Sequence, residues 1–166
     1  RAYGLEWMAR KETGKLTGWI GYTLSWSERK FSAYNMGCYF PSRYDNRHKL
    51  NIVASYRFNE KVELNASWFY SSGNWMTIVP DSHQDWAYLY RNNYQLPPNH
   101  RLDLGLNIYR KRKNGRMGIW NISIYNAYCR KNPTIAWAER SKGTWVKVRQ
   151  LSLFPIIPSF SYTYKF

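Results

Sequence analysis

Along almost the whole of this chain, apolar and polar residues alternate at every second position, a pattern that leaves little room for anything but β-strands. Successive side chains of a strand point to opposite faces, whereas a helix repeats its apolar stripe about every 3.6 residues, and no such stripe is readable here. Seven strands are predicted. In the first, Tyr3, Leu5, Trp7 and Ala9 share a face opposite Glu6 and Arg10. The second sets Leu16, Ile20, Tyr22, Leu24 and Trp26 against Thr17, Thr23, Ser25 and Ser27; the third sets Leu50, Ile52, Ala54, Tyr56 and Phe58 against Lys49, Asn51, Ser55 and Arg57. The fourth carries Val62, Leu64, Ala66, Trp68 and Tyr70, and the fifth Leu102, Leu104, Leu106 and Ile108. The sixth carries Trp120, Ile122 and Ile124, and the last Phe160, Tyr162, Tyr164 and Phe166.

The connections alternate in length. KETGK (11–15), FNEK (58–61) and RKNGR (112–116) are tight, the last with the hairpin dipeptide Asn114-Gly115, whereas 28–47, 74–99 and 129–145 are long. A soluble meander has no reason to sort its loops this way. An up-and-down membrane barrel does, with short periplasmic turns and long outer loops. Residues 146–154 fit less well, because Leu151 and Leu153 lie out of phase with Phe160 to Phe166; a bulge or re-phasing near Pro155 and Pro158 is expected.

Charge and aromatic content narrow the function classes. Nine Trp, fifteen Tyr and seven Phe accompany 25 Lys+Arg against 10 Asp+Glu, a net charge of +15. A basic, aromatic-rich chain can grip single-stranded nucleic acid, but stacking modules need bases and rings on one face. Here the rings sit with the aliphatics, and Lys and Arg concentrate in loops, turns and the opposite face. No apolar run reaches the ~18 residues of a membrane helix, while a barrel strand needs only one apolar face. Rings near strand ends (Tyr22, Trp26, Tyr56, Phe58, Trp68, Tyr70) suit a membrane–water interface. A two-sheet soluble sandwich with an aromatic core is the alternative. Single-chain bacterial barrels have even strand numbers, and open edges are not tolerated in lipid. Seven strands, with an opening RAYGLEWMARK that lacks an initiator Met and an apolar leader, therefore read as the end of a larger barrel.

Four segments carry a family resemblance: FPSRYDNRHKLNIVASYRFNEKVELNASWFYSSGN (40–74), RNNYQLPPNHRLDLGLNIY (91–109), WNISIYNAYCRKNP (120–133) and LSLFPIIPSFSYTYKF (151–166). In order and spacing they resemble the C-terminal barrel region of TonB-dependent outer-membrane receptors of the Bacteroidota type. The resemblance implies an all-β, antiparallel up-and-down barrel of about 22 strands, of which residues 1–166 form roughly the last seven, with neither the plug domain nor the TonB-contacting segment. It implies location in the bacterial outer membrane and import of a scarce solute (iron chelate, cofactor, glycan or peptide), without catalysis or a cofactor. The implied partners are outer-membrane lipid and lipopolysaccharide, the rest of the barrel and its plug, and the TonB complex through the N-terminal part. The barrel assembly machinery and a surface lipoprotein complete the set, which contains no nucleic acid. The final Phe160, Tyr162, Tyr164 and Phe166 resemble the C-terminal signal that the assembly machinery reads, so deleting Phe166 is expected to impair assembly more than it weakens the folded barrel. A self-contained small outer-membrane barrel, or a β-rich surface adhesin without energised transport, is the competing expectation.

On this reading the even-numbered residues of strands two to six face lipid and the odd-numbered ones the lumen, which separates Leu104 from Asp103. Ligand contact is expected from the long loops, where aromatic faces and guanidinium forks can hold sugars or acidic groups: Tyr39, Arg43, Tyr44 and Arg47 in the first, Trp75, Trp86, Tyr88, Tyr90 and Arg91 in the second, Trp137 and Arg140 in the third. These residues equally suit packing of loop against loop. His48, His83 and His100 are scattered without metal-ligand spacing. The ten acids form no paired-carboxylate site, and Gly14, Gly18 and Gly21 precede no helix and so make no phosphate loop. Cys38 and Cys129 are compatible with one loop-to-loop disulfide or with two thiols.

Overall fold

The computed structural model describes residues 1–79, 86–112, 115–140 and 146–165, with the side chains of Trp86, Tyr88, Arg140, Val146 and Lys147 outside that set. Seven long strands follow the chain: β1 (Ala2–Lys11), β2 (Leu16–Arg29), β4 (His48–Arg57), β5 (Val62–Ser71), β8 (Asn99–Lys111), β9 (Met117–Tyr125) and β12 (Ile157–Lys165). Each pairs antiparallel with the next, in the order β1-β2-β4-β5-β8-β9-β12, so the sheet is an uninterrupted meander. All seven predicted strands are present. The path ends at β1 and β12, which do not pair with each other among the described residues.

The register carries the alternation across the sheet. Leu5 lies opposite Leu24, Ile20 opposite Ile52, and Ile52 opposite Trp68. Leu64 meets Leu106, Leu106 meets Ile122, and Ile122 meets Phe160. One apolar face therefore runs unbroken from β1 to β12. A slip of one residue at any ladder would turn a whole strand over, so this face fixes the register. Rings pair across strands within it: Tyr3 stacks on Trp26 at 5.2 Å, and Trp120 lies 4.3 Å from Tyr162 and 5.2 Å from Phe160. Such pairs add about 0.2–1 kcal/mol each to a sheet.

Nothing in the described chain covers this face. The contacts between long strands are those of neighbours in the sheet, and Ile20, Leu64 and Ile122 of interior strands are 41%, 38% and 45% exposed. The buried hydrophobic residues among those described are Phe40, Leu96 and Ala136, which all lie in the long connections. A sandwich needs a second layer against this sheet, and these residues supply none.

The opposite face carries a polar network. Arg57 donates to Glu63 at 2.9 Å, and Asn107 and Tyr109 donate to the other Glu63 oxygen. Asn121 bonds Asn107 at 2.7 Å, and Arg101 pairs with Asp103 at 2.9 Å while donating to the Tyr125 hydroxyl. Trp19, Val53 and Phe69 share this face, so it is mixed rather than uniformly hydrophilic.

Three short turns close one end of the meander. Asn59 accepts the Lys61 and Val62 amides with its side-chain oxygen, the local bond that makes Asn a turn residue. At the third turn the Arg112 amide reaches Arg116 O at 2.8 Å across Gly115, whose φ of 73° favours glycine; Asn114 lies outside the described residues. The other end bears the long connections, which contain the two-residue strands β3 (Phe40–Pro41), β6 (Trp75–Met76) and β7 (Tyr94–Gln95), and the four-residue helix α1 (Trp86–Leu89).

The third connection differs from expectation. Its residues form a separate hairpin, β10 (Pro133–Arg140) with β11 (Val146–Ser152), in which Ile135 faces Leu151 and Trp137 faces Arg149. Leu151 is out of phase with Phe160 because it belongs to a different sheet, not because of a bulge in one strand. The chain re-enters the main sheet at Ile157, past Pro155, with Phe154 at a left-handed φ of 61°.

Candidate ligand-binding cleft

The first two long connections are tied together by short polar side chains. Beyond β2, the buried Asp45 accepts the Ser27 amide at 2.8 Å and Arg47 Nη2 at 3.1 Å, and the Ser42 hydroxyl donates to Ser27 Oγ at 3.0 Å. Asn46 donates to Ser72 O at 2.8 Å and to Asn74 Oδ1 at 2.7 Å, which joins the two connections at their base. Higher up, the Trp75 amide donates to Arg43 O at 2.9 Å. Asn35 and Arg91 exchange two bonds, Arg91 N to Asn35 Oδ1 at 2.8 Å and Asn35 Nδ2 to Arg91 O at 3.1 Å. Asn92 reaches Pro41 O at 2.7 Å. Asn35 and Asn92 both hold positive φ (50° and 53°), which Asn tolerates better than most residues.

Gly73 permits the closest approach. A Cβ at this position would stand 1.6 Å from Leu96 O, so glycine lets the two limbs of the second connection touch. Leu96 is 2% exposed, and its amide donates to Asn74 O at 2.8 Å.

This frame encloses an open cleft of about 560 Å³, within the range of small-molecule sites. Its aromatic wall comes from Phe31, Tyr34, Phe40, Tyr44 and Trp75. Three guanidinium groups line it, Arg29 from the end of β2, Arg43 from the first connection and Arg91 from the second, and Met76, Thr77 and Asn92 complete it. Arg91 lies 5.1 Å over the Tyr34 ring and Arg43 lies 5.7 Å from the Tyr44 ring. None of the three pairs with a carboxylate among the described residues, although Arg1, Arg10, Arg47, Arg57, Arg101 and Arg149 all do. The indole Nε1 of Trp75 is buried without a hydrogen-bond partner among the described residues. Guanidinium forks can bind an anionic group bidentately, and the rings offer faces to a flat or ring-shaped ligand.

Of the residues singled out in the sequence, the fold brings Arg43, Tyr44, Trp75 and Arg91 together here. Tyr39 lies beneath the Arg1 guanidinium at 4.2 Å, and Arg47 is committed to Asp45 and the Trp26 ring. Tyr90 is exposed outside the cleft lining, and Trp137 is exposed on the β10–β11 hairpin. The side chains of Trp86, Tyr88 and Arg140, and all of His83, lie outside the described residues. Arg29, Phe31, Met76, Thr77 and Asn92 were not anticipated; an arginine one step from a loop is the signal that marks Arg29. Phe160, Tyr162 and Tyr164 stand on the apolar face of β12, and Phe166 is outside the described set.

Among the described residues, the remaining reactive side chains form no centre. Cys38 and Cys129 are free and exposed. His48 Nδ1 meets the Tyr22 hydroxyl and His100 Nδ1 the Tyr128 hydroxyl, both at 2.8 Å, and no three His, Cys, Asp or Glu cluster as a metal site among the described residues.

The buried carboxylate at the base gives a direct test of the frame. Asp45→Ala leaves the Ser27 amide and Arg47 without their acceptor and is expected to cost about 1.5–3 kcal/mol, read as a shift in denaturant midpoint and as faster proteolysis within residues 30–47. Comparison of the chain with family models, with curated proteins and with solved structures gave no match.

Proposed function

We propose that this chain is barrel wall and outer loops of a TonB-dependent receptor in the outer membrane of a bacterium, and that it takes part in importing a scarce solute. The observation that carries the reading is the single apolar face running through seven antiparallel strands with no layer of the described residues over it. In water such a face is an aggregation surface; in a bilayer it is the outer wall of a barrel. Two further features support it. The polar network of Glu63, Asn107, Arg101 and Asp103 suits a hydrated lumen, and the long connections gather at one end, where they build the cleft. The free edges of β1 and β12 would pair with further strands of a closed barrel, since lipid tolerates no open edge.

In this reading the chain contributes wall and ligand contact. The plug and the TonB-contacting segment belong to other parts of the receptor, and no chemical step is assigned to these residues. Cell fractionation tests it. The protein should sediment with outer membranes, resist alkaline carbonate and dissolve only in detergent. Release by carbonate into the soluble fraction would contradict the proposal.

A further inference from the structure

The geometry points to an anionic ligand with at least one ring face as the class of solute that the cleft takes, gripped between Arg43 and Arg91. This rests on the reading of the cleft as the ligand site and narrows it, because neutral and cationic solutes are thereby disfavoured. Three guanidinium groups line one open volume, and no carboxylate of the described residues neutralises them. Elsewhere in the described chain six arginines have an acidic partner within 4.0 Å, while Arg110, Arg112, Arg116 and Arg130 have none, so what sets the cleft apart is the gathering of three such guanidinium groups around one volume.

The placement of the two arginines is as informative as their charge. Arg43 sits on the first connection and Arg91 on the second, and both backbones are fixed independently of their side chains: Arg43 O accepts the Trp75 amide, and Arg91 is clamped by Asn35. The forks are thus carried on a preformed frame, which reduces the ordering cost of binding. An anion between them would bridge the two connections. Trp75 and Tyr34 supply the ring contacts. A uronic-acid sugar and an aromatic acid share this chemistry, an acid group on a ring, and the test separates them.

The complete receptor, purified in detergent, is titrated calorimetrically with digalacturonate, with its neutral dimethyl ester and with 2,3-dihydroxybenzoate. At least one of the two acids should bind about tenfold or more tightly than the ester, a gap of about 1.4 kcal/mol, and its affinity should fall as salt is raised. Arg43→Ala and Arg91→Ala should each weaken that acid by about tenfold or more, with Arg43→Lys intermediate, because lysine keeps the charge and loses the fork. Circular dichroism and heat-modifiability gels on each variant establish that it is folded. An ester that binds as tightly as the acid, in a manner lost in Trp75→Ala but not in Arg43→Ala, would overturn anion recognition while leaving the cleft as a ligand site. Absence of binding by all three probes at millimolar concentration would overturn both the anion assignment and the cleft.

Discussion

Replacing Gly73 with valine is expected to disrupt the long-connection end of this protein more than any other single change to a small residue. A Cβ there would stand 1.6 Å from Leu96 O, 2.4 Å from Leu96 C and 2.8 Å from Pro97 O, and all three are backbone atoms that cannot rotate away. The two limbs of the second connection must then separate. Separation breaks the Leu96 amide bond to Asn74 O, uncovers Leu96 and displaces Asn74, which holds Asn46 of the first connection. Overpacking a filled site costs about 1–3 kcal/mol, and the bonds lost here put Gly73→Val at or above the upper end. The expected result is lower folded yield and rapid proteolysis of residues 30–47 and 72–98. Gly105→Ala serves as the control: its Cβ would meet nothing nearer than 3.8 Å, and its effect should stay within about 0.5 kcal/mol. Equal stability of the two variants would show that the connections are not held as described.

The second large effect separates the two faces of the sheet at one level. Leu104 lies opposite Ala66 and Ile124 on the apolar face, and Ser123 lies opposite Gly105 and Ser159 on the other. The Leu104–Ile124 and Gly105–Ser123 pairs are adjacent rungs of one ladder. In a bilayer, Leu104→Arg puts a guanidinium near the midplane at a cost of about 2–4 kcal/mol. Ser123→Arg enters a face already carrying Arg101, Asp103 and Asn121 and should cost under about 1 kcal/mol. Reversible unfolding in lipid vesicles reads both. If Arg at Ser123 were the costlier change, the assignment of the two faces would be inverted.

These faces were legible because a period of two is a local property. Tyr22, Leu50 and Tyr70 declare their side of the strand from their own neighbours, and the turn residues Asn59 and Gly115 mark where strands reverse. The β10–β11 hairpin was not legible as a separate sheet. Its alternation is broken, since Ile135, Trp137 and Glu139 share a face with Leu151 and Arg149, and which sheet a strand joins is decided by distant pairing: Ile135 with Leu151 rather than with β9. The cleft was half legible. Arg43, Tyr44, Trp75 and Arg91 follow from aromatic and guanidinium content, but what gathers them is a set of side-chain-to-backbone bonds from Asn35, Asn46 and Asn92 with sequence separations of 26 to 56. Nothing local marks which asparagine of a loop will bridge. A local pair two residues apart holds Arg47 on Asp45, and long-range contacts place Arg47 over Trp26 and Tyr39 beneath Arg1.

The central claim is that the apolar face meets lipid, and spin labels read it directly. With Cys38 and Cys129 replaced by serine, one label is placed at Leu104 and another at Ser123, a position preferred to Asp103 because Asp103 is bonded to Arg101 and to the Asn126 amide. In lipid vesicles the label at Leu104 should be relaxed strongly by oxygen and weakly by a water-soluble nickel chelate, and the label at Ser123 should show the reverse preference. Equal accessibility of the two labels to oxygen would contradict the account.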